Sequence, residues 1–237
     1  MRYTIADIIV DLELKHPRLM GQCKNYIYTG DRETNIKIRF NDDFFEKALP
    51  DFPGLDVDSL EYLFTGTEYY KTLIQFGGMM LHSSCVIYEN KAYLFTAPSG
   101  TGKSTHTELW LKRFPGAYIL NDDKPAIRIT PNGVYAYGTP FSGKNDISVN
   151  TGVPIGGICI LNRGEKNSIV KLSAVEALPT ILHQTVRPHE EDAMDKLLQI
   201  IDKVLTYVPV YKLHCNMELE AAEVAYNEMN KKQEELK

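Results

Sequence analysis

Cysteine is scarce in this chain and is not arranged for chemistry. The 237 residues include four, Cys23, Cys85, Cys159 and Cys215, and no two of them form a C-x-x-C pair. Zinc ligation wants clustered thiolates or histidines, and a disulfide framework wants more cysteine in a shorter chain, so neither is supported. Reduced thiols in a cytoplasmic protein are the expectation. Positive charge is also short: 26 Lys and Arg against 31 Asp and Glu leave a net charge of -5. Displacing counterions from nucleic acid takes a basic face, so a nucleic-acid partner is not expected. Long apolar runs are missing. No stretch approaches the roughly 18 residues of a membrane span, and the opening MRYTIADIIVDLELKHP lacks the apolar core and small-residue cleavage site of a secretion signal. No membrane association is expected. Internal repeats and low-complexity segments are absent as well.

What is present suits a globular α/β protein. Hydrophobic residues make up 43% and charged residues 24%, ordinary proportions for a chain long enough to bury a substantial core. The N-terminal part, 1–75, mixes β-like runs (Ile5 to Val10, Ile36 to Phe40) with NDDFFEKALPDFPGLDVD, which reads as a short helix and loops, and an apolar stretch from Leu60 to Phe64. No chemistry is assigned to this part. From Met80 the pattern sharpens. Cys85 to Tyr88 and Ala92 to Ala97 flank the turn-like Glu89-Asn90-Lys91 and predict a hairpin. Ser104 to Phe114 predicts a helix with Lys112 and Arg113 in its last turn, stopped by Pro115-Gly116. Tyr118 to Leu120 is a short strand ending at Asn121-Asp122-Asp123. Ala126 to Thr130 and Val134 to Tyr137, around Pro131-Asn132-Gly133, predict a second hairpin. The strand-like GGICILN follows. Ser173 with Glu176 resembles a capping box, although Pro179 should end or kink the helix it opens. Met194, Leu197, Leu198, Ile201, Val204 and Leu205 predict an amphipathic helix over 190–206. VPVYKLHC is a strand, and 217–235 a charged terminal helix. Hairpins mixed with helices predict a sheet that is not purely parallel.

The sharpest signal is TAPSGTGKST, residues 96–105. The phosphate-loop pattern G-x-x-x-x-G-K-[ST] works because small residues let backbone N–H groups curl around phosphate oxygens, the lysine reaches the outer phosphates, and the hydroxyl residue ligates Mg²⁺. A helix N-terminus behind the loop adds partial positive charge. Gly100, Gly102, Lys103 and Ser104 fit, between a predicted strand and a predicted helix. Ala97 stands where the first glycine belongs, a position that needs a small side chain more than a positive φ. The expected nucleotide contacts are Ala97, Pro98, Ser99, Gly100, Thr101, Gly102, Lys103, Ser104 and Thr105.

Mg²⁺ on a nucleotide wants a carboxylate nearby. Asp122-Asp123 falls at a predicted strand end, with a single short helix between that strand and the loop. Two carboxylates beside a triphosphate can divide labour, one on the metal and one taking a proton from an acceptor hydroxyl; a polar turn before Lys124-Pro125 is the plain alternative. No N-K-x-D guanine motif occurs. The chain between His82 and Ala97 is long enough to run up one strand and down the next, so the His82 side chain could return to the same site or be merely structural.

LHSSCVIYENKAYLFTAPSGTGKST followed by ILNDD resembles the HPr kinase/phosphorylase family and its HprK-like relatives. SGTGKST is also similar to the nucleotide loop of the ATP-dependent phosphoenolpyruvate carboxykinases. The resemblance is strong over about residues 80–128 and looser over GTPFSGK and VPIGGICILN. It implies Lys103 on the β- and γ-phosphates, Ser104 and Asp122 on Mg²⁺, Asp123 as general base, and His82 paired with Asp123 or a second metal. It departs at Thr105, where HPr kinases carry Glu, and lacks their downstream R-G-x-G segment, which disfavours HPr itself as acceptor and a reverse phosphorylase reaction. The chain is too short for a carboxykinase.

The fold expectation is therefore one mixed-sheet α/β domain over residues 1–237, with an HPr-kinase/carboxykinase-type core at 76–237 and an N-terminal elaboration at 1–75. The functional expectation is an ATP- and Mg²⁺-dependent kinase acting on a Ser/Thr hydroxyl of a small protein or peptide. A small-molecule hydroxyl and a non-catalytic ATP sensor are the alternatives. Lys144 and Asn145 in GTPFSGKND could hold an acceptor or form a turn. Arg187, with His183 and His189, could offer transition-state charge or sit in solvent. His106 and Trp110 are expected to pack the loop helix. The tail KKQEELK is a solvated face that could join homo-oligomer contacts.

Overall fold

Turn chemistry decides the first elements. The computed structural model describes residues 1–231. Strands β1 (Arg2–Ile5) and β2 (Ile8–Leu12) pair antiparallel, with Ile5 opposite Ile8. Ala6 and Asp7 form the turn at φ of 50° and 61°. The run Ile5 to Val10, expected as one strand, is thus a hairpin folded at its second residue. Helix α1 (Pro17–Gln22) follows, then β3 (Ile36–Ile38), which adds parallel to β2, then the short α2 (Phe44–Ala48). Helix α3 (Val57–Leu73) begins at Asp56, whose side chain accepts from the Ser59 N–H at 2.8 Å, an N-cap. It buries Tyr62, Tyr69 and Tyr70 in a core shared with Ile5, Val10, Met80 and Phe141. Gly66 makes room for Phe141: a Cβ there would meet the ring at 3.0 Å.

Among the described residues the larger sheet has nine strands. They are β4 (Gly78–Met80), β5 (Ser83–Tyr88), β6 (Lys91–Thr96), β7 (Tyr118–Asn121), β8 (Ala126–Thr130), β9 (Gly133–Tyr137), β10 (Gly152–Arg163), β11 (Ser168–Leu172) and β12 (Val210–Cys215). The order is β4-β8-β9-β10-β6-β5-β7, with β12 on β10 and β11 on β12. The sheet is mixed: β10 runs parallel to β6 and β12 but antiparallel to β9. Both expected hairpins form. The β5–β6 turn places Glu89 and Asn90 at φ of 48° and 59°, the two left-handed residues of a type I′ turn.

Side-chain alternation along the strands builds a core on each face. Leu94, Ile158 and Ile160 face α5 (Ala174–His183) and α6 (Glu191–Tyr207), where Ile181, Leu197, Ile201 and Val204 are buried. Tyr93, Phe95 and Leu161 face α4 (Lys103–Arg113) and α7 (Glu220–Met229), around the fully buried Trp110.

Four local expectations need correcting. Helix α5 runs through Pro179 instead of stopping there. Its capping box is complete, and Val175, whose carbonyl loses its partner to the proline, is 82% exposed, so water can serve it. Leu198 is exposed and Ile200 takes the buried place on α6. Strands β4 and β11 are additional, being too short and lightly patterned to show in the sequence. The terminal helix ends at Met229, and the tail from 232 onward lies outside the described residues. No helix among the described residues is long and apolar enough to cross a membrane.

Candidate active site

The sheet order brings the sequence-predicted residues to one edge. Strand β6 delivers Ala97 and the glycine-rich loop into the N-terminus of α4. Gly100 and Gly102 sit at φ of 77° and 120°, conformations that suit glycine, whereas Ala97 is fully buried and is not left-handed. The small buried side chain and the two flexible glycines account for the pattern as it stands here. The loop's first helical bond is His106 N–H to Gly102 C=O at 2.9 Å, leaving the N–H groups of the preceding residues without helical partners. Lys103 is half-buried and folds back, its Nζ donating to the Ala97 carbonyl at 3.0 Å; burial lowers its pKa.

Strand β7 pairs with β5, not with the loop strand, so β5 stands between the loop and the acidic pair. Because β5 runs antiparallel to β6, its first residues return to the loop edge. His82, just before β5, donates its backbone N–H to the Gln184 carbonyl at 2.8 Å, and its carbonyl accepts from the Thr96 hydroxyl at 2.8 Å. The ring then spans two partners: Nδ1 lies 2.9 Å from Gln184 Oε1 and Nε2 lies 3.2 Å from Asp123 Oδ1. The ring thus bridges the Gln184 amide and the Asp123 carboxylate, and which nitrogen donates follows from the tautomer and from the way the Gln184 amide is turned.

Asn121 aims the two carboxylates. Its side-chain oxygen accepts from the N–H groups of Asp123 at 3.0 Å and Lys124 at 2.7 Å, while its amide donates to the Thr139 carbonyl at 3.0 Å. This is an Asx turn, and it throws the neighbouring side chains into the cleft. Asp123 Oδ2 takes the Lys124 ammonium at 2.5 Å. Burial pushes its pKa up, but the His82 hydrogen bond and the Lys124 charge outweigh that and bring it to about 2. Asp122 behaves oppositely: burial raises its pKa, and its neighbour's charge adds to the rise, although the Gly143 N–H donates to its Oδ1 at 2.5 Å.

His82, Lys103, Asp122, Asp123 and Gly143 line one open cleft of about 470 Å³ that also touches Ser99, Ser104, Thr105, Lys144 and Asn145. A second, more apolar cavity of about 590 Å³ lies across the loop, between Thr105, His106 and Leu109 on α4 and Leu161, Arg163 and Met217. Arg163 holds the loop from that side, its Nη2 donating to Gly100 C=O at 2.6 Å. Thr101 lines this second cavity, and Pro98 accepts the Thr101 N–H at 3.3 Å. His106 is buried inside α4, accepts from Trp110 Nε1 at 3.1 Å, and is brought by burial to about 4, so it is neutral. Arg187, His183 and His189 are exposed and do not line the cleft. The same segment instead contributes Gln184.

Sequence reading misses Asn121, Gln184, Gly143 and Arg163. The N-D-D order carries the one available signal, since Asn before two N–H groups is the Asx-turn pattern; the others are long-range contacts. The donor set suits a nucleotide-bound Mg²⁺. Among the described residues no three His, Cys, Asp or Glu side chains converge as a metal cage. Mg²⁺ on phosphates does not need one: one or two carboxylates, a hydroxyl and water suffice. Asp122 lines the cleft, with the Gly143 N–H on its Oδ1, and Ser104 is exposed at the loop mouth.

No protein-family model and no curated protein matches the chain. Among solved structures, the Hpr(Ser) kinase/phosphatase from Coxiella burnetii is similar at a TM-score of 0.37 and 14% identity, over 63% of this chain and 95% of that one. A likeness of that size is distant and says nothing of activity.

Proposed function

We propose that this protein is an ATP- and Mg²⁺-dependent kinase that transfers the γ-phosphate to a hydroxyl, with a Ser or Thr of a small protein or peptide as the leading acceptor and a small-molecule hydroxyl as the variant. The observation that carries the reading is the convergence of the glycine-rich loop, Asp122, Asp123 and His82 on one cleft. In this reading the loop N–H groups and Lys103 hold the β- and γ-phosphates. Asp122 and Ser104 would hold a Mg²⁺ ion, whose charge would offset that of the phosphates. The base and ribose occupy the apolar cavity across the loop, whose volume and lining suit a nucleoside. The acceptor oxygen bonds to the γ-phosphorus as the bond to the β,γ-bridging oxygen breaks, and ADP leaves.

Asp123 then has a narrower duty than a strong base. A carboxyl at about 2 is ionised at neutral pH but takes a proton poorly. It orients the acceptor hydroxyl by accepting its hydrogen bond, and receives the proton only when bond formation to phosphorus has acidified that hydroxyl. A loose transition state tolerates this, because little proton transfer is needed early. The same low pKa supports a second reading, a non-catalytic ATP sensor in which Asp123 serves structure alone.

The test is transfer from γ-labelled ATP with Mg²⁺ to HPr, to pooled small proteins and peptides, and to a small-molecule extract. Label on one acceptor, lost in Asp123→Asn with nucleotide affinity retained, is the expected result. Tight ATP binding with no labelled acceptor and no hydrolysis would favour the sensor.

A further inference from the structure

The two carboxylates of the cleft are joined by a route that leaves the site and comes back. Lys124 Nζ donates to Asp123 Oδ2 at 2.5 Å and to the Tyr62 hydroxyl at 3.0 Å. The Tyr62 O–H donates to the Ser142 carbonyl at 2.8 Å. That carbonyl and the Gly143 N–H belong to the same peptide group, and the N–H donates to Asp122 Oδ1 at 2.5 Å. Carboxylate, ammonium, phenol, peptide and carboxylate form one unbroken chain. Each donor is polarised by the bond before it, so the links strengthen one another.

Tyr62 is the pivot, and it comes from α3, far from the loop in sequence. Its ring is fixed independently of its hydroxyl: the Arg18 guanidinium lies 3.9 Å from the ring centroid on α1, and Phe141 packs edge-on at 6.1 Å. The loop it grips is held on its other side, where Ser142 Oγ accepts from Gln22 at 2.9 Å and donates to Asp146 at 2.7 Å.

We propose that Tyr62 and Lys124 are positioning residues that set the separation and orientation of Asp122 and Asp123, which makes the segment before residue 75 a working part of the nucleotide site. The proposal rests on the kinase reading of that cleft. Outer-shell partners of metal-binding carboxylates typically change metal affinity or activity by about 10- to 100-fold.

The experiment measures binding of the non-hydrolysable analogue AMP-PNP by calorimetry, with and without Mg²⁺, in wild type, Tyr62→Phe, Lys124→Met and the double variant. Tyr69→Phe is the control: it deletes a hydroxyl from the same helix, where that group donates only to the Ile5 carbonyl at 3.1 Å. Thermal melts check that each variant is folded. Tyr62→Phe should weaken the Mg²⁺-dependent part of binding about 10-fold or more, leave metal-free binding unchanged, and differ from Tyr69→Phe. The double variant should be no worse than the worse single one, because both cut one chain. If Tyr62→Phe behaves as Tyr69→Phe does, or if the two variants act additively, the proposal is overturned while the kinase reading stands. If wild type binds AMP-PNP no better with Mg²⁺ than without, the kinase reading falls first and takes the proposal with it.

Discussion

Replacing Asp123 by Asn removes one negative charge from between two donors, and its cost can be worked from the carboxyl's own titration. The ordinary carboxyl value is 3.8 and the folded one about 2. At about 1.4 kcal/mol per pH unit, ionised Asp123 contributes about 2 kcal/mol to folding at pH 7. The sign follows from a folded value below the unfolded one. The contribution is full above the unfolded value and is lost as pH falls through the folded value, with about half left at pH 3 and little at pH 2. Two effects adjust it. Relief of repulsion at Asp122 trims the loss in the variant, and the half-buried Lys124, left with a neutral partner, enlarges it. Urea melts of wild type and Asp123→Asn at pH 7, 5 and 3 read the gap directly, and titrations elsewhere in the chain cancel in the difference. A gap of about 2 kcal/mol that narrows toward pH 3 is expected. A gap that stays constant across that range would show that shape, not charge, is lost. No gap at pH 7 would show that Asp123 is not held by His82 and Lys124.

Three further outcomes are expected. Trp110→Ala opens the core between β6 and α4, where the indole is fully buried, and should cost about 3 to 5 kcal/mol, read by circular dichroism in urea because the chain has no other tryptophan. Ala97→Gly restores the usual first residue of the loop and should leave ATP affinity unchanged while lowering stability by about 0.5 to 1 kcal/mol; a large gain in affinity would mean that alanine had been obstructing the loop. Gly143→Ala places a Cβ 3.0 Å from Asp122 Oδ2, and should weaken Mg²⁺-dependent AMP-PNP binding about tenfold with metal-free binding intact.

The parts of this molecule that can be read in advance are those written locally. Asn90 and Gly133 announce their turns because few residues accept positive φ, and both hairpins form around them. The loop between β6 and α4 is legible because its backbone geometry needs glycine at 100 and 102. Ala6-Asp7 turns the chain as sharply as Glu89-Asn90 does, yet nothing in those two residue types demands it, so the pattern there predicts a single strand. Pro179 shows the limit of a local rule that offers two outcomes, an end or a kink: the helix opened by the Ser173–Glu176 capping box does not end at the proline. The surroundings of the acid pair are least legible. Asn121 carries a local signal, but Gln184 reaches His82 from 102 residues away, and Tyr62 reaches Lys124 across 62. No periodicity links such positions; the end of α5 brings Gln184 to the sheet edge and α3 brings Tyr62.

Strand β10 has a consequence for how the chain finds this shape. It begins antiparallel to β9 at Gly152–Pro154 and ends parallel to β6 and β12, so one strand splices two sub-sheets. Its pairing of Ile158 with Leu94 joins positions far apart in the chain, and closing so long a loop is slow beside the microsecond formation of a hairpin. The β5–β6 and β8–β9 hairpins can therefore form while the sheet between them is still missing its centre. On the ribosome, the glycine-rich loop emerges well before β10 and β12, the strands that wall its second side. The cavity beside the loop is closed only once the last third of the chain has emerged, so a ligand that needs both walls would stabilise the finished protein without templating its early folding.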